Sequence, residues 1–548
     1  MNTLDELRKT AGDLRIIDKA AEREMYSHDI GDLPPVMTKT LFETLPDFVV
    51  QPKSIDEIRK VLAFANDRKI PVIPRGAASW GFGGVVPTRG GIVIDLSPFR
   101  RILAIDTTAK TVTVEAGARW SDIDIMAKKD GLCLMTYPSS KFSTVGGWIS
   151  TGGYGINSFR YGHLSKQIVS MKVVTGAGEV KHLTPSDHDF AYFISTEGEF
   201  AIVAEVTLRL RDVPQGSYPR LLYFLGEKEA FAFIGRLVGD MAGAQFNPNV
   251  IRFLDENHLA DVNRIARAEV FKKSIAVLVE FGSAQDEHHF GEYLSRDSSV
   301  EEAPGHVASY LWNERLFGMK TKRLGPSILA SEVIIPITSA AAFVKKAKKI
   351  GSHFGVEICI DSYIIDEHRA LIMSTFLCDS RTKKYYIKIP LVAMLTKAAI
   401  VLGAEPYGLG LWNAAFIHNL YGDAKLRDLK AYKAQADPNH ILNPGKFFSV
   451  AAKGVPGLVF RPAVFGPSMR LMLLMAPVIG RMSTTFLGKE KKVDCLDYEL
   501  SMHACAKCGN CVAVCPAYLV TQNEAVTAKG KIALAKKLLA GQAVTRDE

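Results

Sequence analysis

A stretch rich in glycine and hydroxyl side chains decides the fold: residues 138–155 read Pro138-Ser139-Ser140-Lys141-Phe142-Ser143-Thr144-Val145-Gly146-Gly147-Trp148-Ile149-Ser150-Thr151-Gly152-Gly153-Tyr154-Gly155. A second glycine-rich loop, residues 75–84, follows the predicted strand 71–74 further upstream. Glycine lets the backbone approach a ligand closely, and amides together with hydroxyls are the groups that bind a pyrophosphate. Neither loop has the spacing G-x-G-x-x-G or G-x-x-x-x-G-K-[ST], which disfavours a Rossmann site and a P-loop.

Several segments carry a family resemblance. Pro74-Arg75-Gly76, residues 143–155, Arg160-Tyr161-Gly162 and Ser195-Thr196-Glu197-Gly198-Glu199-Phe200-Ala201-Ile202-Val203 resemble the flavin-binding domain of the vanillyl-alcohol-oxidase/D-lactate-dehydrogenase (glycolate oxidase) superfamily. Residues 437–446 resemble the end of that family's substrate domain. The resemblance covers about residues 40–450. It implies an α+β fold class with a PCMH-type FAD-binding domain and an α+β substrate (cap) domain.

The resemblance also implies where FAD binds. Some relatives attach FAD covalently through a histidine in the first loop, but residues 75–84 contain none, so non-covalent FAD is expected. Ile202 is expected to contact the flavin through its backbone, and Asn443 and Lys446 to close the site from the second domain. The residues predicted to bind the cofactor are Arg75, Gly76, Ala77, Ala78, Ser79, Gly81, Pro138, Ser139, Ser143, Thr144, Gly146, Gly147, Ser150, Gly152, Gly153, Ile202, Asn443 and Lys446.

Four cysteines near the C-terminus form the run Cys505-x2-Cys508-x2-Cys511-x3-Cys515-Pro516. Structural zinc sites usually use two cysteine pairs that are well separated, whereas this tight spacing is typical of a [4Fe–4S] cluster. The chain is therefore similar to FAD-linked oxidases fused to a small α-helical ferredoxin-like iron–sulfur module. In two-cluster ferredoxins the fourth cysteine ligates the other cluster. We therefore expect a second cluster, in a continuation of the chain or in a partner; the alternative is one cluster closed by Cys515 or Cys495.

Two residues are candidates for the catalytic chemistry. Lactate-type relatives carry a G-E-H-G-I-G stretch whose histidine is a base, and here residues 405–411 place Tyr407 at that position. A base role requires the tyrosine pKa to fall from about 10 to near neutrality; packing on the flavin ring is the alternative. Arg315 resembles the arginine that clamps a substrate carboxylate in hydroxy-acid relatives, with a surface ion pair as the alternative. The histidine pair of the metal-binding relatives is missing from residues 358–363, so no divalent metal is expected.

The chain is divided by these patterns into five parts. Residues 466–492 mix methionine and leucine with arginine and lysine. A linker packed on the flavin domain is predicted there; an interfacial helix in peripheral contact with a membrane and a surface for a redox partner are alternatives. The predicted parts are an N-terminal helical segment (1–45), the FAD-binding domain (46–212), the substrate domain (213–450), the linker (451–494) and the [4Fe–4S] ferredoxin-type domain (495–548), which is expected to be incomplete.

Composition limits the function. The 548 residues are 47% apolar and 23% charged, which is typical of globular domains, and the net charge of +9 involves no long basic run. We expect a cytoplasmic protein without a nucleic-acid partner. If residues 466–492 bind a membrane, the protein is expected to be peripheral at its inner face. We predict an oxidoreductase that oxidises a small 2-hydroxy acid and passes electrons through the cluster to an acceptor protein or a quinone-linked partner. The alternative is an electron-transfer subunit of a larger complex that oxidises no substrate itself.

Overall fold

A computed structural model describes residues 3–31, 33, 40–297, 300–316, 318–454, 456–487, 502, 505, 507, 509–521, 523–539 and 541. Helices and strands alternate through this part of the chain, as the α+β prediction requires. The strands are β1 (Arg15–Ile17), β2 (Phe48–Gln51), β3 (Val72–Arg75), β4 (Ile92–Asp95), β5 (Ile102–Asp106), β6 (Thr111–Glu115), β7 (Leu132–Leu134), β8 (Ile168–Thr175), β9 (Val180–Leu183), β10 (Ala201–Asp212), β11 (Tyr218–Phe224), β12 (Val250–Leu254), β13 (Ile275–Phe281), β14 (Glu301–Glu302), β15 (Ser327–Pro336), β16 (Cys359–Ile364), β17 (Arg369–Cys378) and β18 (Glu405–Pro406).

The helices range from single turns to a helix of 26 residues. They are α1 (Thr3–Ala11), α2 (Ala20–Glu24), α3 (Ile55–Arg68), α4 (Trp120–Lys129), α5 (Val145–Thr151), α6 (Ser158–Tyr161), α7 (Glu227–Ala244), α8 (Glu256–Ala266), α9 (Ala284–Leu294), α10 (Gly305–Asn313), α11 (Ile337–His353), α12 (Lys384–Ile400), α13 (Gly410–Asn413), α14 (Ile417–Ala436), α15 (Pro456–Val459), α16 (Pro462–Leu487), α17 (Asn510–Val514), α18 (Pro516–Thr521) and α19 (Ala528–Leu539).

Three sheets organise these elements. The first has the order β1-β2-β4-β3, and the second has the order β5-β6-β10-β8-β9 with β7 also paired to β10. The third has eight strands in the order β14-β11-β13-β12-β16-β17-β15-β18. Every residue of β13 is buried at the interior of the third sheet, which explains the apolar run over residues 275–279; the buried Glu280 carboxylate accepts hydrogen bonds from Ser217 and Asn249. The first two sheets support the glycine-rich loops, and the third forms the opposite side of the cleft described below.

The start of α3 shows how local sequence determines an element. Ser54 is the N-cap, and its hydroxyl accepts a hydrogen bond from the Glu57 amide at 3.2 Å. The Glu57 carboxylate in turn accepts a hydrogen bond from the Lys53 amide at 2.6 Å. Both contacts satisfy amides that a helix N-terminus leaves without internal partners, so Ser54 and Glu57 form a capping box.

The N-terminal segment is more than a helical extension. β1 pairs antiparallel with β2, in the register Arg15 opposite Gln51, and so becomes an edge strand of the first sheet. Ile17, Met25 and Tyr26 are buried in a small cluster with core residues of that sheet. Tertiary pairing, which no local pattern reveals, therefore makes residues 15–26 part of the flavin-binding domain.

The segment after α14 also returns to the first sheet. The amide of Asn443 donates a hydrogen bond to the Val72 carbonyl at 2.8 Å, and the amide of Val72 donates to the Ile441 carbonyl at 2.7 Å. Leu442 is completely buried in the core beneath α3. The end of the predicted substrate domain therefore packs as a part of the flavin-binding domain.

Residues 462–487 form a helix where the sequence predicted a linker on the flavin domain. α16 packs against α11 and α12, which belong to the substrate domain. Its buried side chains, Phe465, Met469 and Ala476, join the core beneath the third sheet. This segment packs on the substrate domain rather than on the flavin domain as predicted, because its apolar residues recur at helical spacing and one side of the helix completes that core.

The C-terminal region packs on the N-terminal segment. Ala533 of α19 contacts the cluster that contains Met25 and Tyr26, and Lys537 forms an ion pair with Glu24 at 2.5 Å. The helix α19 begins at Ala528 and is preceded by a short 3-10 helix. This packing places the cysteine-containing loop beside the first glycine-rich loop.

Candidate active site

A cleft of about 190 Å³ lies between the two glycine-rich loops and the third sheet. A narrower pocket of about 50 Å³ continues behind it and shares Gly76, Thr144 and Gly147 with the cleft. The two together form an elongated cavity with backbone and hydroxyl groups on one side. Of the predicted cofactor residues, those that line the main cleft are Gly76, Ala77, Ala78, Ser79, Pro138, Ser139, Ser143, Thr144, Gly147 and Gly152, and those that line the narrower pocket include Arg75, Gly146, Ser150 and Ile202.

The two loops are brought together by a close contact at Gly76. A Cβ atom at this position would lie 2.1 Å from the Thr144 hydroxyl oxygen, so only glycine allows this approach. The hydroxyl of Ser143 is buried and has no hydrogen-bond partner within the described part of the chain. Unpartnered donors beside exposed loop backbone are what a dinucleotide pyrophosphate requires, and the cavity therefore fits the FAD expected from the sequence.

Arg75 lines the narrower pocket, and its guanidinium is bound to the N-terminal segment. Its guanidinium donates hydrogen bonds to the backbone carbonyls of His28 at 2.8 Å, Met25 at 3.3 Å and Tyr26 at 3.4 Å. It also lies over the Tyr26 ring at 5.2 Å. The side chain therefore holds the N-terminal segment, and its binding of the cofactor stays a prediction.

Four other predicted cofactor residues line neither cavity. Gly81 packs against Gly31, and Gly153 packs against His163. The Asn443 side chain donates to the carbonyls of Gly84 and Glu197, and Lys446 donates to the Val86 carbonyl at 2.8 Å. The expected closure of the site by Asn443 and Lys446 is thus replaced by a supporting role, because the segment that carries them is buried behind the first loop.

The opposite wall of the cleft carries Arg315, Glu332, Asp361, Tyr363 and Tyr407. The Arg315 guanidinium stacks on the Trp312 ring at 4.1 Å, and its Nη1 donates to the Trp312 carbonyl at 2.7 Å. Its Nε has no hydrogen-bond partner within the described residues. Arg315 is therefore a fixed cation at the cleft rather than a member of a surface ion pair.

The surroundings of Tyr407 oppose its predicted role as a base. Its hydroxyl donates a hydrogen bond to the Tyr154 carbonyl and accepts one from the Tyr154 amide, both at 3.0 Å. Burial and the neighbouring Glu332 carboxyl raise the pKa of Tyr407 above its ordinary value, whereas a base at neutral pH requires a lower one. Tyr407 instead joins the second glycine-rich loop to the third sheet.

Glu332 on β15 is the candidate that sequence reasoning missed. Its carboxyl accepts one hydrogen bond, from the Trp80 indole at 3.3 Å, and burial raises its pKa to about 7. Asp361, on the same wall, forms a bidentate ion pair with the buried Arg252 at 2.7 and 2.8 Å, which lowers the Asp361 pKa. Two carboxyl groups in one cleft thus differ in protonation near pH 7. The signal available in the sequence was a lone acidic residue within the apolar strand 327–336.

The cysteine loop lies against the first glycine-rich loop. Gly509 has φ +77°, and a Cβ there would lie 3.7 Å from the Ala77 carbonyl oxygen. Cys505, Cys511 and Cys515 are partly exposed free thiols, and Cys508 and Cys495 lie outside the described residues. Among the residues that the structure describes, no three His, Cys, Asp or Glu side chains lie close enough together to hold a metal. The [4Fe–4S] cluster therefore stays a prediction.

Comparisons with known families and proteins agree with this geometry. Residues 46–184 match the FAD binding domain family, and residues 229–447 match the C-terminal domain of FAD linked oxidases. The remaining C-terminal residues, which include the cysteine run, lie outside both matches.

Among similar proteins, the glycolate oxidase subunit GlcD of Bacillus subtilis is 26% identical over 471 residues, which cover 82% of this chain and 97% of that protein. A D-lactate dehydrogenase of Archaeoglobus fulgidus is 21% identical over 460 residues, which cover 81% of this chain and 99% of that protein.

Among solved structures, the 4-ethylphenol oxidase of Gulosibacter chungangensis superposes with a TM-score of 0.68 at 18% identity, over 82% of this chain and 97% of that one. This likeness shows the fold, with its mixed α and β content. The two family matches and the similar proteins, rather than this structural likeness, identify the chain as an FAD-linked oxidoreductase of the FAD-linked oxidase and dehydrogenase family, related to glycolate oxidase and D-lactate dehydrogenase.

Proposed function

We propose that the protein oxidises a small 2-hydroxy acid of the glycolate or D-lactate type and passes the electrons through a [4Fe–4S] cluster to an external acceptor. The observation that carries this proposal is that a fixed cation, Arg315, and a carboxyl group with a pKa of about 7, Glu332, line one cleft beside the cofactor loops. A 2-hydroxy acid has a carboxylate that Arg315 can bind and a hydroxyl group whose proton Glu332 can accept. The names of the relatives supply the substrate class.

Arg315 binds the substrate carboxylate. Its stacking on Trp312 and its bond to the Trp312 carbonyl fix the plane of the guanidinium, so little side-chain freedom remains to be lost when a substrate binds. The unpartnered Nε is a donor available to a carboxylate oxygen. The unpartnered hydroxyl of Tyr363, on the same wall, offers a further hydrogen bond.

Glu332 accepts the proton of the substrate hydroxyl. A base is most effective when its pKa lies near the working pH, and the value of about 7 satisfies this condition. Asp361 is unsuited to the role because Arg252 stabilises its charged form. When bound, FAD supplies the oxidant for the substrate carbon, by taking up two electrons that it can release singly.

The contact between the loops supports the proposed path to the cluster. The turn at Gly509 packs directly on Ala77 of the cofactor loop, so a cluster held by Cys505, Cys508, Cys511 and Cys515 would lie beside the flavin domain. The acceptor would be a protein or a quinone-linked partner that approaches the partly exposed cysteine loop. A second cluster, in a partner or elsewhere, stays a prediction.

An anaerobic screen of 2-hydroxy acids tests the function, with flavin absorbance as the readout. Bleaching by glycolate or D-lactate in the wild type is expected. Cys511→Ser should leave this bleaching intact and should lose iron and electron transfer to a one-electron acceptor. If no 2-hydroxy acid bleaches the flavin while a chemical reductant does, the protein is an electron-transfer subunit and the proposed oxidation is wrong.

A further inference from the structure

The starting observation is that α16 is attached to the protein along one side only. Phe465, Met469 and Ala476 on that side are buried against α11 and α12. At Gly480 the helix approaches so closely that a Cβ would lie 1.8 Å from the His353 carbonyl oxygen. By length and hydropathy, residues Pro462–Met482 could cross a membrane. A spanning position would, however, remove these side chains from the core, so the helix stays on the surface of the protein.

The opposite side of α16 exposes an apolar stripe. Leu474 is 74% exposed and Leu471 is 61% exposed, and the other stripe residues are 42–54% exposed. At 100° per residue all members fall within one narrow sector of the helix, opposite the buried side. Single exposed apolar residues are normal, but a continuous stripe of this length marks a surface that binds something. The apolar stripe consists of Val464, Leu471, Leu474, Met475, Val478 and Met482.

The charges around the stripe indicate what it binds. Residues 438–489 contain no aspartate or glutamate. Arg470 and Arg481 are exposed and eleven residues apart, which places them along the same edge of the stripe. An apolar helix face bordered by cations and free of acidic groups is the combination that binds the headgroup region of an anionic bilayer.

We propose that α16 docks this protein on the surface of an anionic membrane, with the helix axis parallel to the bilayer. The stripe enters the boundary between headgroups and acyl chains, and the two arginines contact lipid phosphates. The packed side of the helix anchors the rest of the molecule. The proposal is independent of the substrate and of the cluster.

The test is co-sedimentation of the FAD-loaded full chain with vesicles. Wild type is expected to bind vesicles of equal parts phosphatidylglycerol and phosphatidylcholine, and to bind pure phosphatidylcholine much more weakly. The double variant Leu471→Glu/Leu474→Glu should lower the partition coefficient at least tenfold, because two charges would have to enter the apolar boundary. Arg470→Gln/Arg481→Gln should lower it about thirtyfold on the anionic vesicles, with a weaker dependence on salt.

Ile125→Glu provides the matched control, since Ile125 is 61% exposed on α4, a helix of the flavin domain. This variant should bind vesicles like wild type. All variants should keep FAD and the wild-type melting temperature, because the changed side chains are exposed. Equal vesicle binding by wild type and the leucine double variant would overturn the proposal. It would also be overturned if wild type ignored the anionic vesicles, or formed dimers that the double variant does not form.

Discussion

Replacing Glu332 with glutamine separates the catalytic from the structural consequences of burying this carboxyl group. Glutamine has nearly the same shape but accepts no proton. If Glu332 takes the hydroxyl proton of the substrate, Glu332→Gln should slow anaerobic flavin reduction by about 10²–10⁴-fold, the usual contribution of a general base. Because the base must be ionised, the wild-type rate should rise with pH through about 7, and this dependence should vanish in the variant.

The same substitution should stabilise the fold at high pH. Burial raises the Glu332 pKa from 4.5 to about 7, so between these values the folded protein holds a proton that the unfolded chain releases. Wild-type stability therefore falls as pH rises from about 4.5 to about 7, by at most about 3 kcal/mol. This is an upper limit because Glu332 is partly exposed to the cleft. Between pH 4 and pH 8, Glu332→Gln should gain up to that amount relative to wild type in urea unfolding of the apoprotein.

Glu405→Gln is the matched control, because Glu405 is an exposed carboxylate on the neighbouring strand β18. It should change neither the rate of flavin reduction nor the pH dependence of stability. A Glu332→Gln variant that reduces flavin at the wild-type rate would refute the base assignment. A stability difference that stays constant from pH 4 to pH 8 would refute the raised pKa on which the assignment rests.

The remaining predictions concern the other groups of the site. Tyr407→Phe should slow flavin reduction less than tenfold while lowering the free energy of unfolding by about 1–2 kcal/mol through the lost bonds to Tyr154; a hundredfold slower reduction would restore Tyr407 as a base. Arg315→Lys should raise KM for the hydroxy acid about tenfold or more with kcat less affected, since lysine lacks the planar donor pair, and an unchanged KM would contradict the clamp. Acid precipitation should leave the yellow colour in the supernatant, and a coloured pellet would show covalent FAD. Arg252→Met should destabilise the fold by about 3–5 kcal/mol in urea unfolding, because it leaves Asp361 buried without its partner; an unchanged midpoint would count against this ion pair.

Parts of this protein depend on short-range sequence and were predictable. The capping box at Ser54 uses residues three apart, and the strand at 275–281 is recognisable from the apolar run 275–279. The FAD-binding domain follows from the glycine and hydroxyl loops, which carry the family's resemblance and line one cavity. Such features are encoded within one turn, one strand or one loop, where the physical causes are local.

Other parts depended on residues that only the fold brings together. The sequence around Arg75 does not reveal that its guanidinium donates hydrogen bonds to backbone carbonyls about fifty positions earlier. Nor does the sequence around Asn443 reveal that this residue lies behind the first loop rather than in the site. Arg252 and Asp361 are 109 positions apart, and their pairing leaves Glu332, of these two carboxyl groups on one wall, as the one with a pKa near neutrality. The cofactor loops could thus be identified from the sequence alone. The protonation of the site depends on the tertiary structure, because a pKa is set by the burial and the charges that surround a group in space.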